Sequence, residues 1–83
     1  MNDNDFQEEL YQILDNQIAD KDPKETGETL EKLKKMGMDE SKAKELMASC
    51  LAIELLDVIE KGNAYNHERY VSNLKRLPFE PQN

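Results

Sequence analysis

Two polar side chains that interrupt apolar helical faces are the strongest candidates for chemistry in this sequence. Gln17 lies one helical turn after Ile13, and Glu54 lies one turn after Cys50. A polar group on a buried face needs a hydrogen-bonding partner. We expect Gln17 and Glu54 to form a polar core cluster, bonded to each other, to a tyrosine hydroxyl or to a neighbouring helix end. The functional alternative makes Glu54 the carboxylate of a ligand pocket.

The supply of nucleophiles and metal ligands is too small to indicate an enzyme. The chain has one histidine, His67, and one cysteine, Cys50, and no base lies near Ser41 or Ser49 in the sequence. Catalytic and metal sites need several such side chains on facing surfaces. The three glycines are isolated, so no phosphate-binding loop is indicated. We predict no catalytic, cofactor-binding or metal-binding residues, and no cofactor.

The excess of acidic over basic residues lies in the first third of the chain. The net charge is -7, with ten acidic and two basic residues in positions 1–31 and eight acidic and nine basic residues in positions 32–83. Such a surface disfavours binding to nucleic acids and anionic membranes and favours a basic protein partner. The predicted interaction face consists of Glu8, Glu9, Asp15, Glu25 and Glu28. The alternative is an ordinary solvated helix face.

The sequence predicts a cytoplasmic protein. Cys50 lies within an apolar run, which is typical of a buried thiol in a reducing compartment. The first residues are acidic and polar, unlike a signal peptide. No run is long and apolar enough to span a membrane.

Apolar periodicity and helix-boundary residues predict four helices, over residues 5–19, 23–36, 40–61 and 67–76, followed by a frayed tail over 78–83. Asp22 is expected to cap the second helix, with Pro23 at its first position. Asp39 and Asn66 are expected to cap the third and fourth helices. The third helix is the longest and is apolar around much of its circumference, so it should be central. The prediction is one all-α domain, a compact four-helix bundle.

Several segments, spread over most of the chain, resemble a small bacterial helical family of unknown function. They are Leu14-Asp15-Asn16-Gln17-Ile18, Asp22-Pro23, Leu30-Glu31-Lys32-Leu33, Met36-Gly37, Ala43, Leu51-Ala52, Tyr70 and Leu74 to Pro78. Members of that family read E-N-Q in the first helix, D-P-P-E at the second and G-x-x-R-H-E-A-x-H into the third. The resemblance implies an all-helical fold and no established activity.

This chain departs from that family at its histidines. Members often carry paired histidines on the first and third helices, and such a pair at i,i+4 spacing could bind a metal. The corresponding positions here are Gln7, Tyr11, Ser41 and Glu45. The resemblance therefore implies that a metal site, if relatives have one, has been lost from this chain.

The sequence favours a non-enzymatic interaction or accessory module. Its contact surface would be the acidic face, bound by a basic partner, or uncovered apolar surface of the third helix, forming a homodimer. The alternative is a degenerate metal- or ligand-binding domain centred on Glu54, Glu45, Asp15 and Gln17.

Overall fold

Residues 3–80 are described by a computed structural model, in which they form four helices and no strand. The helices are α1 (Asp3–Asp20), α2 (Lys24–Lys35), α3 (Glu40–Lys61) and α4 (His67–Arg76). The prediction of an all-α four-helix bundle with a long third helix is confirmed. The bounds of α3 and α4 are those predicted, whereas α1 is longer and α2 shorter than predicted.

Two helices, α2 and α3, form the centre of the bundle. Each of them packs against all three other helices, while the backbones of α1 and α4 do not come close to each other within the described residues. The core contains fully buried side chains from every helix, including Leu14, Leu33, Met47 and Leu74. Burial of such side chains stabilises the fold by roughly 1.5–3 kcal/mol each. The central position predicted for α3 is therefore shared with α2.

Glycines in the left-handed conformation end α2 and α3. Gly37 has a φ of 94° and Gly62 a φ of 69°. After α2, the Met38 amide donates to the Leu33 carbonyl at 3.1 Å and the Gly37 amide to the Lys34 carbonyl at 3.0 Å. These two bonds form a Schellman motif, which satisfies carbonyls that the helix itself leaves without partners.

Of the three predicted N-caps, Asp22 is wrong, Asp39 holds its predicted position without a side-chain bond, and Asn66 is confirmed. Pro23 rather than Asp22 occupies the N-cap position of α2, and the amide of Asp22 donates to the Gln17 carbonyl at 3.1 Å. Asp22 therefore belongs to the end of α1. Asp39 stands at the N-cap of α3, but its side chain accepts no hydrogen bond from the helix. Asn66 does cap α4, since its side-chain oxygen accepts from the Arg69 amide at 3.0 Å.

The aromatic residue before the α4 cap packs against the fourth residue of the helix, as in a hydrophobic staple. The rings of Tyr65 and Tyr70 have centroids 6.1 Å apart. Beyond α4, Leu77 is buried, and Pro78, Phe79 and Glu80 have no regular structure. The rest of the predicted frayed tail, residues 81–83, lies outside the described residues. Within residues 3–80, no helix has both the length and the apolar character needed to cross a bilayer.

Lys21 makes the turn between α1 and α2 with a left-handed backbone. Its φ is 57°, and the Lys21 amide donates to the Ile18 carbonyl at 3.3 Å. Together with the bond from Asp22 to Gln17, this is a second Schellman motif, with lysine where glycine is usual. A side chain with a Cβ is strained in this conformation.

Lys21→Gly should therefore stabilise the protein by about 1 kcal/mol, because glycine adopts this φ without a steric penalty. Urea denaturation followed by circular dichroism measures the change. Lys42→Gly, in the first turns of α3, is the control and should destabilise by roughly 1 kcal/mol. A stability loss on Lys21→Gly would contradict the assigned strain.

Candidate functional site

The carboxylate of Glu54 is fully buried and is bound to the start of α4. Its side chain is 0% exposed. Oε2 accepts from Arg69 Nε at 2.6 Å, and Oε1 accepts from Arg69 Nη2 at 2.9 Å. Oε1 also accepts from the Asn66 amide at 3.1 Å. Both oxygens are therefore engaged by α4, and the guanidinium binds in the bidentate geometry that suits a carboxylate.

A second carboxylate one turn further along α3 extends this cluster. Asp57 Oδ2 accepts from Arg69 Nη2 at 2.8 Å and from Asn63 Nδ2 at 3.3 Å. Hydrogen bonds from Arg69 and Asn63 lower the pKa of Asp57. Hydrogen bonds from Glu54 and then Asp57 raise the pKa of Arg69. We name Glu54, Asp57, Asn66 and Arg69 the α4 anchor.

The α4 anchor caps the helix as a capping box would, but the carboxylate is supplied by another helix. In a capping box, the third helical residue is Glu or Gln and its side chain accepts from the amide of the N-cap residue. The third residue of α4 is Arg69, which cannot accept. Glu54 accepts from the Asn66 amide instead, and Arg69 neutralises its charge. A carboxylate in this position also interacts favourably with the positive end of the helix dipole.

Gln17 bonds a different part of α4, through a tyrosine hydroxyl. Its Oε1 accepts from Tyr70 Oη at 2.7 Å and from Thr26 Oγ1 at 2.7 Å. Tyr70 and Thr26 are both fully buried. Burial raises the pKa of Tyr70, so its hydroxyl stays protonated and donates. This network joins three helices at one oxygen, since Gln17 lies on α1, Thr26 on α2 and Tyr70 on α4.

The two polar core residues are therefore placed in two separate networks. Glu54 bonds a helix end and Gln17 bonds a tyrosine hydroxyl, which are two of the partners expected from the sequence. Every buried side-chain nitrogen or oxygen of the described residues has a hydrogen-bond partner. Both networks hold helices together, and the oxygens of Glu54 are committed to protein donors rather than aimed into a ligand pocket.

The residues of the ligand-binding alternative are not brought together. Glu45 is exposed, and its Oε2 lies 3.8 Å from Nζ of Lys42. Asp15 Oδ1 accepts from Lys44 Nζ at 2.7 Å, and this bond raises the pKa of Lys44. Within residues 3–80, no group of three or more His, Cys, Asp or Glu side chains is arranged to hold a metal ion.

Three of the four positions that correspond to histidines in the bacterial family resembled by the sequence lie close together. Gln7, Tyr11 and Glu45 line a shallow groove of about 360 Å³ between α1 and α3, whereas Ser41 is not among its lining residues. One carboxylate among amide, phenol and apolar neighbours is a weak ligand set for a transition metal.

The five residues of the predicted acidic face have different surroundings. Glu8 and Glu9 are exposed on α1, and Asp15 is paired with Lys44. Glu25 and Glu28 line a groove together with Lys32 and Lys75. Lysines contributed by three helices thus interrupt the acidic character that the linear sequence suggested.

Arg69 makes the most hydrogen bonds of the α4 anchor, and it is not among the site residues predicted from the sequence. One signal could have identified it. Glu54 and Asp57 are three residues apart, so their carboxylates share a helix face, and two acids at this spacing repel unless a cation lies between them. Arg69 is the first arginine after them and lies in the first turn of the helix that Asn66 is predicted to cap.

Glu54→Gln should destabilise the domain by about 3 kcal/mol, because it removes the charge that pairs with Arg69 at a buried site. Urea denaturation measures the loss. The exposed Glu45→Gln is the matched control and should change stability by no more than about 0.5 kcal/mol. Equal effects of the two substitutions would contradict the structural role of Glu54.

Asp57 should give the domain an acid-sensitive component of stability. Its folded-state pKa lies below the ordinary value of 3.8, so its contribution is complete above pH 3.8 and is lost as the pH falls through the lowered pKa. Denaturation of Asp57→Asn across this range should show a shallower loss of stability on acidification than the unmodified protein. Parallel curves would argue against the assignment.

Comparison with known proteins does not extend these observations. No protein family, curated protein or solved structure matches this chain. The resemblance to a bacterial helical family stays a prediction, and the function must be argued from the side chains that the fold places on its surface.

Proposed function

We propose that this domain is a non-enzymatic protein-interaction module that forms a homodimer through an uncovered side of α3. The observation that carries the proposal is the exposure of large apolar side chains on this helix. Leu56 is 40% exposed, and Leu46 and Ile53 on the same side of the helix are half-buried. Uncovered apolar surface is typical of protein-protein contact sites. The engagement of Glu54 and Gln17 within the chain supports a role without catalysis.

The uncovered side has a helical repeat along the whole of α3. We name it the open side of α3, and its residues recur at intervals of three or four positions: Lys42, Leu46, Ser49, Ile53, Leu56 and Glu60. The helices α1, α2 and α4 all pack against α3. Its buried residues, such as Met47, Ala48 and Glu54, lie off the open side. The open side therefore carries three apolar residues, with Ser49 among them, between a charged residue at each end.

The order of these residues suits antiparallel pairing with a second copy. Positions 42 and 60 are equally far from the middle of the stripe, as are positions 46 and 56. A two-fold axis at the middle would place Lys42 of each copy opposite Glu60 of the other, and Leu46 opposite Leu56. Ser49 of each copy would lie opposite Ile53 of the other, so the interface is complementary in charge at its ends and in apolar contact at Leu46 and Leu56.

The proposal includes a reducing, cytoplasmic location. Cys50 is a free thiol with 0% exposure, and burial raises its pKa to about 11. Such a thiol packs as a small apolar side chain and contributes no reactivity. A basic segment binding to Glu8 and Glu9 on α1 is a second candidate interaction, supported by the exposure of both carboxylates.

Leu56→Glu should weaken self-association by roughly tenfold or more, because it places a charge among the apolar contacts of the interface. Sedimentation equilibrium from micromolar to near-millimolar concentration measures the effect. The unmodified protein should approach twice the monomer mass of 9.6 kDa. Val58→Glu is the matched control, because Val58 is 39% exposed on the same helix but off the open side.

Charge reversal tests the antiparallel arrangement. Glu60→Lys alone should weaken the dimer, and adding Lys42→Glu should restore it, because the pair would again carry opposite charges. An unmodified protein that stays monomeric at near-millimolar concentration would refute the homodimer.

A further inference from the structure

A groove runs along α2, away from the open side of α3. It has a volume of about 860 Å³. Lys24, Gly27, Glu31 and Lys35 of α2 line it at intervals of three or four positions, and Leu30 and Lys32 widen this stripe. Ile18 and Lys21, from the end of α1 and the turn after it, also line the groove. The helix has 12 residues, so the groove runs for about 18 Å, or some three helical turns.

Apolar side chains line part of this groove. Ile18 is half-buried, Leu30 is 7% exposed and Met36 is 59% exposed. The methionine is the most exposed of them, and its flexible thioether side chain adapts readily to a partner surface. We name this feature the α2 groove.

Gly27 lies in the middle of the α2 groove, within the helix. Glycine is unfavourable inside a helix, and alanine would be preferred. A Cβ added at Gly27 would meet no atom within 4 Å. Its φ is not positive either, unlike those of Gly37 and Gly62. The packing of this chain therefore does not require glycine here, whereas a molecule that approaches the α2 backbone closely would.

The rim of the α2 groove is basic, in contrast to the rest of the protein. It carries four lysines, Lys21, Lys24, Lys32 and Lys35, against two acids, Glu28 and Glu31. The local balance is 4 − 2, or +2, in a chain of net charge -7. Among the described residues, Lys32 Nζ donates to the Lys75 carbonyl, and the other three lysines have no ion-pair partner. The groove is thus complementary to an acidic partner.

We propose that the α2 groove binds an acidic amphipathic helix of a partner protein, with its apolar side against Ile18, Leu30 and Met36 and its backbone passing over Gly27. The backbone of α2 is committed to its own helix, so it cannot pair with an extended segment. A helix satisfies its own backbone and offers an apolar stripe, the usual mode of recognition in such grooves. The α1 helix of a second copy is unsuitable, because its apolar side is buried in its own core.

This inference rests on the proposed role as an interaction module, but not on the homodimer. The two surfaces are separate, so sedimentation reports on one and peptide binding on the other. Loss of the homodimer with peptide binding intact would leave the α2 groove as the functional surface.

A selection from a display library of helical peptides, with the folded domain as bait, tests the proposal. Enriched peptides should be acidic and amphipathic, although the net charge of the domain would by itself attract basic ones. Their affinity should fall about tenfold or more for Gly27→Leu, which fills the groove. Enrichment of basic peptides, or of none, would overturn the proposal.

Gly27→Ala separates an effect on binding from an effect on folding. It should raise the midpoint of thermal unfolding, because alanine favours the helix, and yet weaken the selected peptides. Lys24→Glu and Lys35→Glu should also weaken them, whereas Lys34→Glu, on α2 but not among the residues that line the groove, should not. Peptides that bind Gly27→Ala and Gly27→Leu with the same affinity as the unmodified domain would place the peptide site elsewhere. That result would overturn the proposal.

Discussion

The buried carboxylate of Glu54 is the constraint on which the arrangement of α4 depends. A helix of ten residues is marginal in water and needs tertiary contacts to persist. Glu54 supplies them at the first turn, by accepting from the Asn66 amide and from Arg69. Because the carboxylate is 0% exposed, its charge must be neutralised within the protein, and Arg69 of α4 is its ion-pair partner among the described residues. The anchor and the helix therefore require each other.

Polar contacts from all three other helices fix α4 along its length. Glu54 of α3 holds its start, and Gln17 of α1 accepts from Tyr70 in its middle. Lys32 of α2 donates to the Lys75 carbonyl at its end, at 3.0 Å. Apolar contacts tolerate sliding, whereas hydrogen bonds at three points fix both position and rotation. This explains how α1 and α4 hold a defined relative position although their backbones do not come close to each other.

The fold was largely predictable from the sequence because apolar periodicity and helix-ending glycines are local signals. Gln17 and Glu54 were recognisable for the same reason, as polar residues on apolar faces. The kinds of partner were expected, but the particular residues were not, because Arg69 and Tyr70 come from another helix, 15 and 53 positions away. The cap assigned to Asp22 failed because a lysine adopted the left-handed conformation and extended α1. The α2 groove arises from two helices together, and no single segment indicates it.

Two residues that are locally unfavourable line the same groove. Lys21 has a left-handed backbone, and Gly27 interrupts a helix where alanine would fit. Neither choice is explained by packing within the chain. Departures from local preference in an otherwise consistent sequence tend to occur at functional sites. Lys21 brings an unpaired cation to the rim, and Gly27 keeps the centre open. The residues that weaken the fold are thus those that a bound acidic helix would need.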